Sequence, residues 1–213
     1  MKHCLGVLAL VLMAAPAGSH PHVFVETALR FDINDQSEIT GVTVTWTYDD
    51  FFTLLILEDM GLDPDGDGQL TDAELDELFG FDLVEWPPGF EGDLYVTSNG
   101  EKIEMPRPRP VGIAVEDGLI TATHSRDIPN VPIEGAKIQQ YDPTYYVAYD
   151  VSQGVTTTAP GCDATVTDPD QAAAQAAVDK ELDGGSMEDI FNEMLVGVHF
   201  SDTITLSCAP PSN

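Results

Sequence analysis

From Val23 onward the chain alternates. Val23, Val25, Leu29, Phe31 and Ile33 form one apolar set, with Phe24, Glu26, Arg30 and Asp32 between them. A period of two predicts a half-buried strand. A turn around residues 34–37 leads to a second such segment, Ile39 to Tyr48, which reads as its hairpin partner. The pattern then changes. "DDFFTLLILEDMGL" (49–62) predicts a helix with an apolar face, and "DAELDELFGF" (72–81) a second, short one. "EWPPGFEG" breaks the chain. From residue 93 to 167 short apolar runs alternate with turn signals at Ser98-Asn99-Gly100, Glu116-Asp117-Gly118 and Gln153-Gly154, which predicts antiparallel hairpins. Two helices are expected over 168–196. Asp168 and Pro169 suit the start of the first, and Gly184-Gly185 suits its end. Ser186 with Asp189 forms a capping box for the second, whose Met187, Ile190, Phe191, Met194 and Leu195 share one face. The last strand is Thr203 to Cys208, with Ile204, Leu206 and Cys208 on one side.

The first residues have a different character. Lys2, the apolar run Leu5–Ala15 and the small residues after it read as an export signal. Two cut positions satisfy the small-residue rule, one after Ser19 and one after Ala17. No other segment is long and apolar enough to span a bilayer. Cys4 lies ahead of the apolar run, where it would not carry a lipid. The expectation is a leader over 1–19 and one exported α+β domain over 20–213, without a stable membrane anchor.

The chain of 213 residues carries 37 acidic and 8 basic side chains, a formal charge of −29. Such a surface repels nucleic acid and anionic membranes and attracts cationic partners, metal ions among them. Acidity also serves solubility alone. With Cys4 in the leader, only Cys162 and Cys208 remain, and in an oxidising compartment two cysteines read as one disulfide.

Between the two central helices lies "DPDGDGQLTDAE", Asp63 to Glu74. It matches an EF-hand calcium loop at each defining place. Asp63, Asp65 and Asp67 stand at positions one, three and five, and Gly68 supplies the turn at six. Gln69 offers its backbone carbonyl at seven, Thr71 can hold a water at nine, and Glu74 closes bidentately at twelve. Calcium takes many hard oxygen ligands, and alternate residues of a tight loop point them inward. One loop without a pair suits a structural ion, held at roughly 10⁻⁴–10⁻³ M, better than a sensor. The fold class expected is therefore α+β, antiparallel β-sheets with an inserted single EF-hand-like helix-loop-helix (about 49–81) and two helices in the C-terminal region.

Four histidines remain after the leader: His20, His22, His124 and His199. Strand parity places His20 and His22 on one face, opposite Val23 and Val25. If cleavage follows Ser19, the α-amine and imidazole of His20 can chelate one metal, with His22 as a third donor. Pro21 has no amide hydrogen, so a deprotonated amide cannot serve there. If cleavage follows Ala17, the terminus is Gly-Ser-His, which can bind copper or nickel through that amide. His124 and His199 taken singly read as core or surface histidines and are weaker ligand candidates. Imidazole donors suit zinc, copper or nickel, where the oxygen loop suits calcium. No nucleophile elbow, phosphate loop or His-Glu-x-x-His pattern is present, and the chain is not expected to be an enzyme.

"HPHVFVE", "VTWTYDDFFTLLILEDM", the inserted "DPDGDGQLTDAEL", "YDPTYYVAYD" and "HFSDTITLSC" occur in an order that resembles the ZevA-like periplasmic proteins. The resemblance spans nearly the whole mature chain. It implies a periplasmic accessory protein for zinc or nickel, working beside a membrane metal permease, with His20 and His22 as ligands and a cut just before His20. Two other readings stand beside it. One is an oxidative copper enzyme built on an amino-terminal histidine brace. The other is a calcium-stabilised module that binds another protein, its histidines incidental.

Overall fold

The computed structural model describes residues 21–182 and 195–209. The expected leader, His20 and, over residues 186–194, the expected capping-box helix lie outside the described residues.

Two sheets and three helices make up the described chain, an α+β fold. The first strand, β1 (Val23–Ile33), buries Val23, Val25, Thr27, Leu29 and Phe31 and exposes Phe24, Glu26 and Arg30, as its alternation predicts. It pairs antiparallel with β2 (Glu38–Tyr48), and Asn34 organises the turn between them by accepting from the N–H groups of Gln36 and Glu38. In β2 the buried parity switches from Ile39 to Val42, Val44, Trp46 and Tyr48. The register with β6 (Leu119–Pro132) shifts between Ile39 and Gly41, so a bulge absorbs the change of face. Strand β5 (Arg109–Glu116) completes this side of the first sheet, joined to β6 by a tight turn with Asp117 and Gly118 both at positive φ.

On its other side β1 carries β8 (Val147–Asp150) and then β9 (Val155–Thr157), both parallel to it. The sheet is therefore mixed. Gln153-Gly154 does not close a hairpin as its turn residues suggest. It lets one extended run continue along β1 in two pieces. Parallel pairing leaves no local signature, because its partner strand lies over a hundred residues away.

The second sheet runs β10 (Cys162–Thr167), β11 (Thr203–Cys208), β7 (Ala136–Gln140), β3 (Leu94–Ser98), β4 (Glu101–Lys102) and is antiparallel throughout. Cys162 and Cys208 face each other across β10 and β11 and are joined by a disulfide. One buried cluster draws on both sheets: Leu29, Phe31, Val42 and Val44 from the first, Val96, Ile138, Ile204 and Leu206 from the second.

Helix α1 (Asp50–Met60) starts on Asp49, whose Oδ1 accepts from Phe52 N–H, and stops on Gly61 in the left-handed region. Helix α2 (Asp72–Leu78) ends three residues sooner than its sequence pattern suggests. Gly80, at φ 76°, breaks it, and Phe81–Leu83 form a separate 3-10 turn. The third helix, α3 (Gln171–Leu182), is capped by Asp170 instead of Asp168: its Oδ1 accepts from the N–H groups of Ala172 and Ala173. No described helix is long and apolar enough to cross a membrane.

Candidate functional site

The loop between α1 and α2 is held by its own acidic side chains. Asp63, itself at φ 53°, accepts with Oδ1 from Asp67 N–H (3.0 Å) and with Oδ2 from Gly68 N–H (3.1 Å). Gly66 and Gly68 both take positive φ, which is what the sharp turn at the sixth position requires. Carboxylate oxygens of Asp63, Asp65 and Asp67 thereby come within 4.8 Å of one another. Three hard anionic oxygens on one side of a turn suit calcium and suit imidazole-seeking metals poorly.

Glu74 does more than its position in the pattern suggests. Its Oε2 accepts from Thr71 N–H (2.8 Å) and Thr71 hydroxyl (2.7 Å), and its Oε1 accepts from Asp63 N–H (3.1 Å). The Thr71 hydroxyl in turn accepts from Glu74 N–H, so residues nine and twelve form the capping box of α2. These bonds hold the Glu74 carboxyl below the usual glutamate range, the Thr71 hydroxyl first among them. Thr71 is thus the helix cap, a role its place as a water-holding residue does not reveal. The Gln69 backbone N–H donates to Asp67 Oδ1, and its side-chain Nε2 donates to Asp67 Oδ2.

The histidines are dispersed. His22 is exposed just ahead of β1; its N–H donates to Tyr146 carbonyl, and its ring stands 4.9 Å from the Tyr146 ring. His199 is exposed on a 3-10 turn, Gly197–Phe200. That turn rests on the "YDPTYY" segment, with Gly197 N–H donating to Pro143 carbonyl and Phe200 stacked on Tyr145 at 4.2 Å. The segment is folded around Asp142, which accepts from the N–H groups of Thr144, Tyr146 and Val147. His22 and the 3-10 turn that carries His199 therefore both rest against this segment. His124 lies elsewhere, facing inward from β6 opposite Val44. Among the described residues, Asp63, Asp65 and Asp67 are the one group of three or more histidine, cysteine and carboxylate ligands whose atoms converge.

His124 belongs to a buried polar set that the sequence gives no reason to connect. Its Nδ1 lies 3.8 Å from Asp82 Oδ2, with the two side chains 5% and 6% exposed. Tyr48 hydroxyl stands 3.4 Å from the same Asp82 oxygen, and the Trp46 ring packs edge-on to His124 at 4.5 Å. Beyond Trp46, Tyr149 donates its hydroxyl to Asp93 Oδ2 at 2.9 Å. Burial pushes Asp82 up to about 6 and Asp93 up to about 7. Burial and the neighbouring Arg126 hold His124 down to about 4, so its imidazole is neutral at neutral pH. Trp46 Nε1, His124 Nδ1 and Asp93 Oδ1 are buried without a hydrogen-bond partner.

These groups stand at or beside a cleft of about 680 Å³. Helices α1 and α2 supply one wall through Phe52, Ile56, Met60 and Glu77; Trp46, Tyr48, Tyr149 and Tyr146 supply another; Trp86 and Phe90 reach over from the 84–92 loop. Trp86 sits directly on Gly92, where a Cβ would fall 2.6 Å from its Cη2 atom.

Fold and site together define a two-sheet α+β protein with an acidic helix-flanked loop beside an aromatic cleft. The profile of a family described as "Protein of unknown function (DUF1007)" matches residues 5–208, and the chain belongs to that family. It is 28% identical over 139 residues to an "Uncharacterized protein" of Haemophilus influenzae (strain ATCC 51907 / DSM 11121 / KW20 / Rd), covering 61% of this chain. The matched stretch spans 62% of that relative's length. Among solved structures, Biomphalaria glabrata acetylcholine-binding protein type 1 aligns over 93% of this chain and 92% of its own, at 9% identity. Its TM-score of 0.30 is too low to carry an argument.

Proposed function

We propose that this is an exported, ZevA-like metal-binding accessory protein that holds a structural calcium in the Asp63–Glu74 loop. The same protein binds zinc, or nickel in its place, through His20-Pro21-His22 and serves a membrane metal permease in the periplasm. The observation that carries the calcium part is the convergence of Asp63, Asp65 and Asp67 within 4.8 Å on a turn closed by Asp63 itself. All the donors there are oxygens, the donor type calcium prefers. The cross-strand disulfide supports an oxidising compartment. For zinc, the support is that His22 lies at the start of β1 beside Tyr146, a residue of the cleft rim.

Intact mass of the secreted protein followed by separate calcium and zinc titrations tests this reading. The account expects a chain beginning at His20, one calcium abolished by Glu74→Gln, and nanomolar zinc abolished by His20→Ala with His22→Ala. Zinc affinity that survives both histidine changes removes the accessory role.

One observation favours the second reading, a calcium-stabilised module for another protein. Phe51 and Leu54 on the outer side of α1 are 71% and 66% exposed, with Leu55 beside them. An apolar outer face on a helix is unusual in a chain this acidic. Loss of zinc binding together with calcium-dependent capture of a defined partner through Phe51 and Leu54 would favour it.

A further inference from the structure

The cleft has a composition that the metal-binding account leaves unused. Of the described residues lining it, nine are aromatic and four are carboxylic (Asp59, Glu77, Asp82 and Glu85), and none is basic. Its volume, about 680 Å³, lies in the range of small-molecule sites. The faces of aromatic rings are negative and attract cations, most strongly where water is excluded. We propose that this cleft binds a small organic cation, an alkyl-ammonium ion, enclosed by Trp46, Tyr48, Trp86 and Tyr149 with its charge toward Asp82.

Three observations choose this ligand class over others. Asp82 reaches the cleft with a side chain 6% exposed, and among the described residues no lysine or arginine pairs with it. Its described neighbours are Tyr48 hydroxyl at 3.4 Å and His124 Nδ1 at 3.8 Å. An apolar ligand would leave that carboxylate buried against hydrocarbon, which is costly. An anion meets four carboxylates. A small metal ion needs several converging ligands, and the described residues of the cleft offer no such group. An organic cation satisfies both the rings and the carboxylate.

Trp86 already behaves as a cation acceptor. Arg107 and Arg126 lie over its ring, at 5.3 and 5.9 Å from the centroid. Neither lines the cleft, and Arg126 is committed to the backbone carbonyls of Pro106, Glu91 and Met105. Trp46 adds a second, independent sign. It is 6% exposed, lines the cleft, and has an Nε1–H with no acceptor. To accept from it, a ligand oxygen would have to displace the side chains that now shield that atom from solvent.

Both tryptophans of the chain line the cleft, so tryptophan fluorescence, excited outside the tyrosine band, reports on this site. The test titrates the calcium-saturated full chain with choline against 3,3-dimethyl-1-butanol, its uncharged isostere, and with putrescine against 1,4-butanediol. At least one cation should change the fluorescence saturably and bind at least tenfold tighter than its uncharged counterpart. Asp82→Asn should remove that tenfold preference while leaving the far-ultraviolet circular dichroism unchanged. No saturable response to either cation overturns the proposal. So does equal binding of cation and isostere, a comparison that needs no variant. Repeating the titration in chelator keeps this result separate from the calcium reading, since the cleft residues hold no calcium ligand.

Discussion

Glu74 and Asp63, the last and first residues of the acidic loop, are tied by a hydrogen bond from Asp63 N–H to Glu74 Oε1 at 3.1 Å. The loop is thus closed by the residue that the calcium pattern reserves for bidentate ligation. Thr71 holds the other oxygen of the same carboxylate. Glu74→Gln keeps an amide oxygen for the capping box but loses one anionic oxygen from the proposed calcium site. Calcium affinity should fall more than about tenfold, while the calcium-free stability changes by no more than a cap substitution does, about 1 kcal/mol. Calorimetric titration and melting of the two proteins side by side check both halves.

The buried carboxyls predict an unusual pH response. Asp93 and Asp82 titrate at about 7 and about 6 because burial disfavours their charged forms. The stability that comes from keeping them protonated is complete below the ordinary aspartate value and is lost as pH rises through 6 and then 7. His124, held down to about 4, acts in the opposite sense: its contribution is complete above the ordinary histidine value and is lost as pH falls through 4. Between pH 5 and 7 two carboxyls outweigh one imidazole, so stability should fall as pH rises, by about 1 kcal/mol per unit. Asp202, also raised by burial, adds to the same trend. Asp93→Asn, which retains an oxygen to accept from Tyr149, should flatten the slope. Urea unfolding at pH 5, 6, 7 and 8 measures it, and a wild-type stability that climbs across this range contradicts the assignment.

Much of this architecture is legible in the residues. Alternation from Val23 to Phe31 marks β1 because one face of that strand meets the core and the other meets water. The acidic loop is legible because its chemistry needs oxygen ligands at fixed spacing within twelve residues. The cleft is not, for a physical reason. Tyr48, Asp82, His124 and Tyr149 span a hundred positions and meet through the pairing of β2 with β6 and of β1 with β8. No local period records those contacts. His124, open in the residues between core and surface, shares the buried parity of Ile120 and Ala122, and its neighbour Asp82 lies in a short 3-10 turn that follows Gly80. The parity of His20 and His22 concerns a residue outside the described chain.

The disulfide closes a separation of 46 residues between adjacent strands. Loop-closure entropy puts its contribution at roughly 3–4 kcal/mol. Replacing both cysteines by serine should lower unfolding stability by that amount, and reducing agent should have no further effect on the double variant. An unchanged denaturation midpoint would show that the strand pair holds without the bond.

Gly197 fits where no side chain can. A Cβ there would fall 1.8 Å from the Asp142 carbonyl oxygen, so the turn carrying His199 presses directly on the "YDPTYY" backbone. Gly197→Ala should therefore cost about 1–3 kcal/mol, the usual range for overpacking, and separate Phe200 from Tyr145. Thermal melting gives the cost, and loss of the Tyr145–Phe200 contact in proton NMR would report the local separation. A melting temperature equal to wild type contradicts that packing.

The central claim is the proposal that the Asp63–Glu74 loop binds calcium, and melting the protein in chelator and then in calcium tests it most directly. With calcium at about a hundred times the dissociation constant, linkage predicts roughly 2.7 kcal/mol of added stability. For a chain of this size that is a rise of about 5–10 °C. Titration should give one calcium per chain, bound at roughly 10⁻⁴–10⁻³ M. A melting temperature identical in chelator and in calcium, with no heat of binding, would contradict the account.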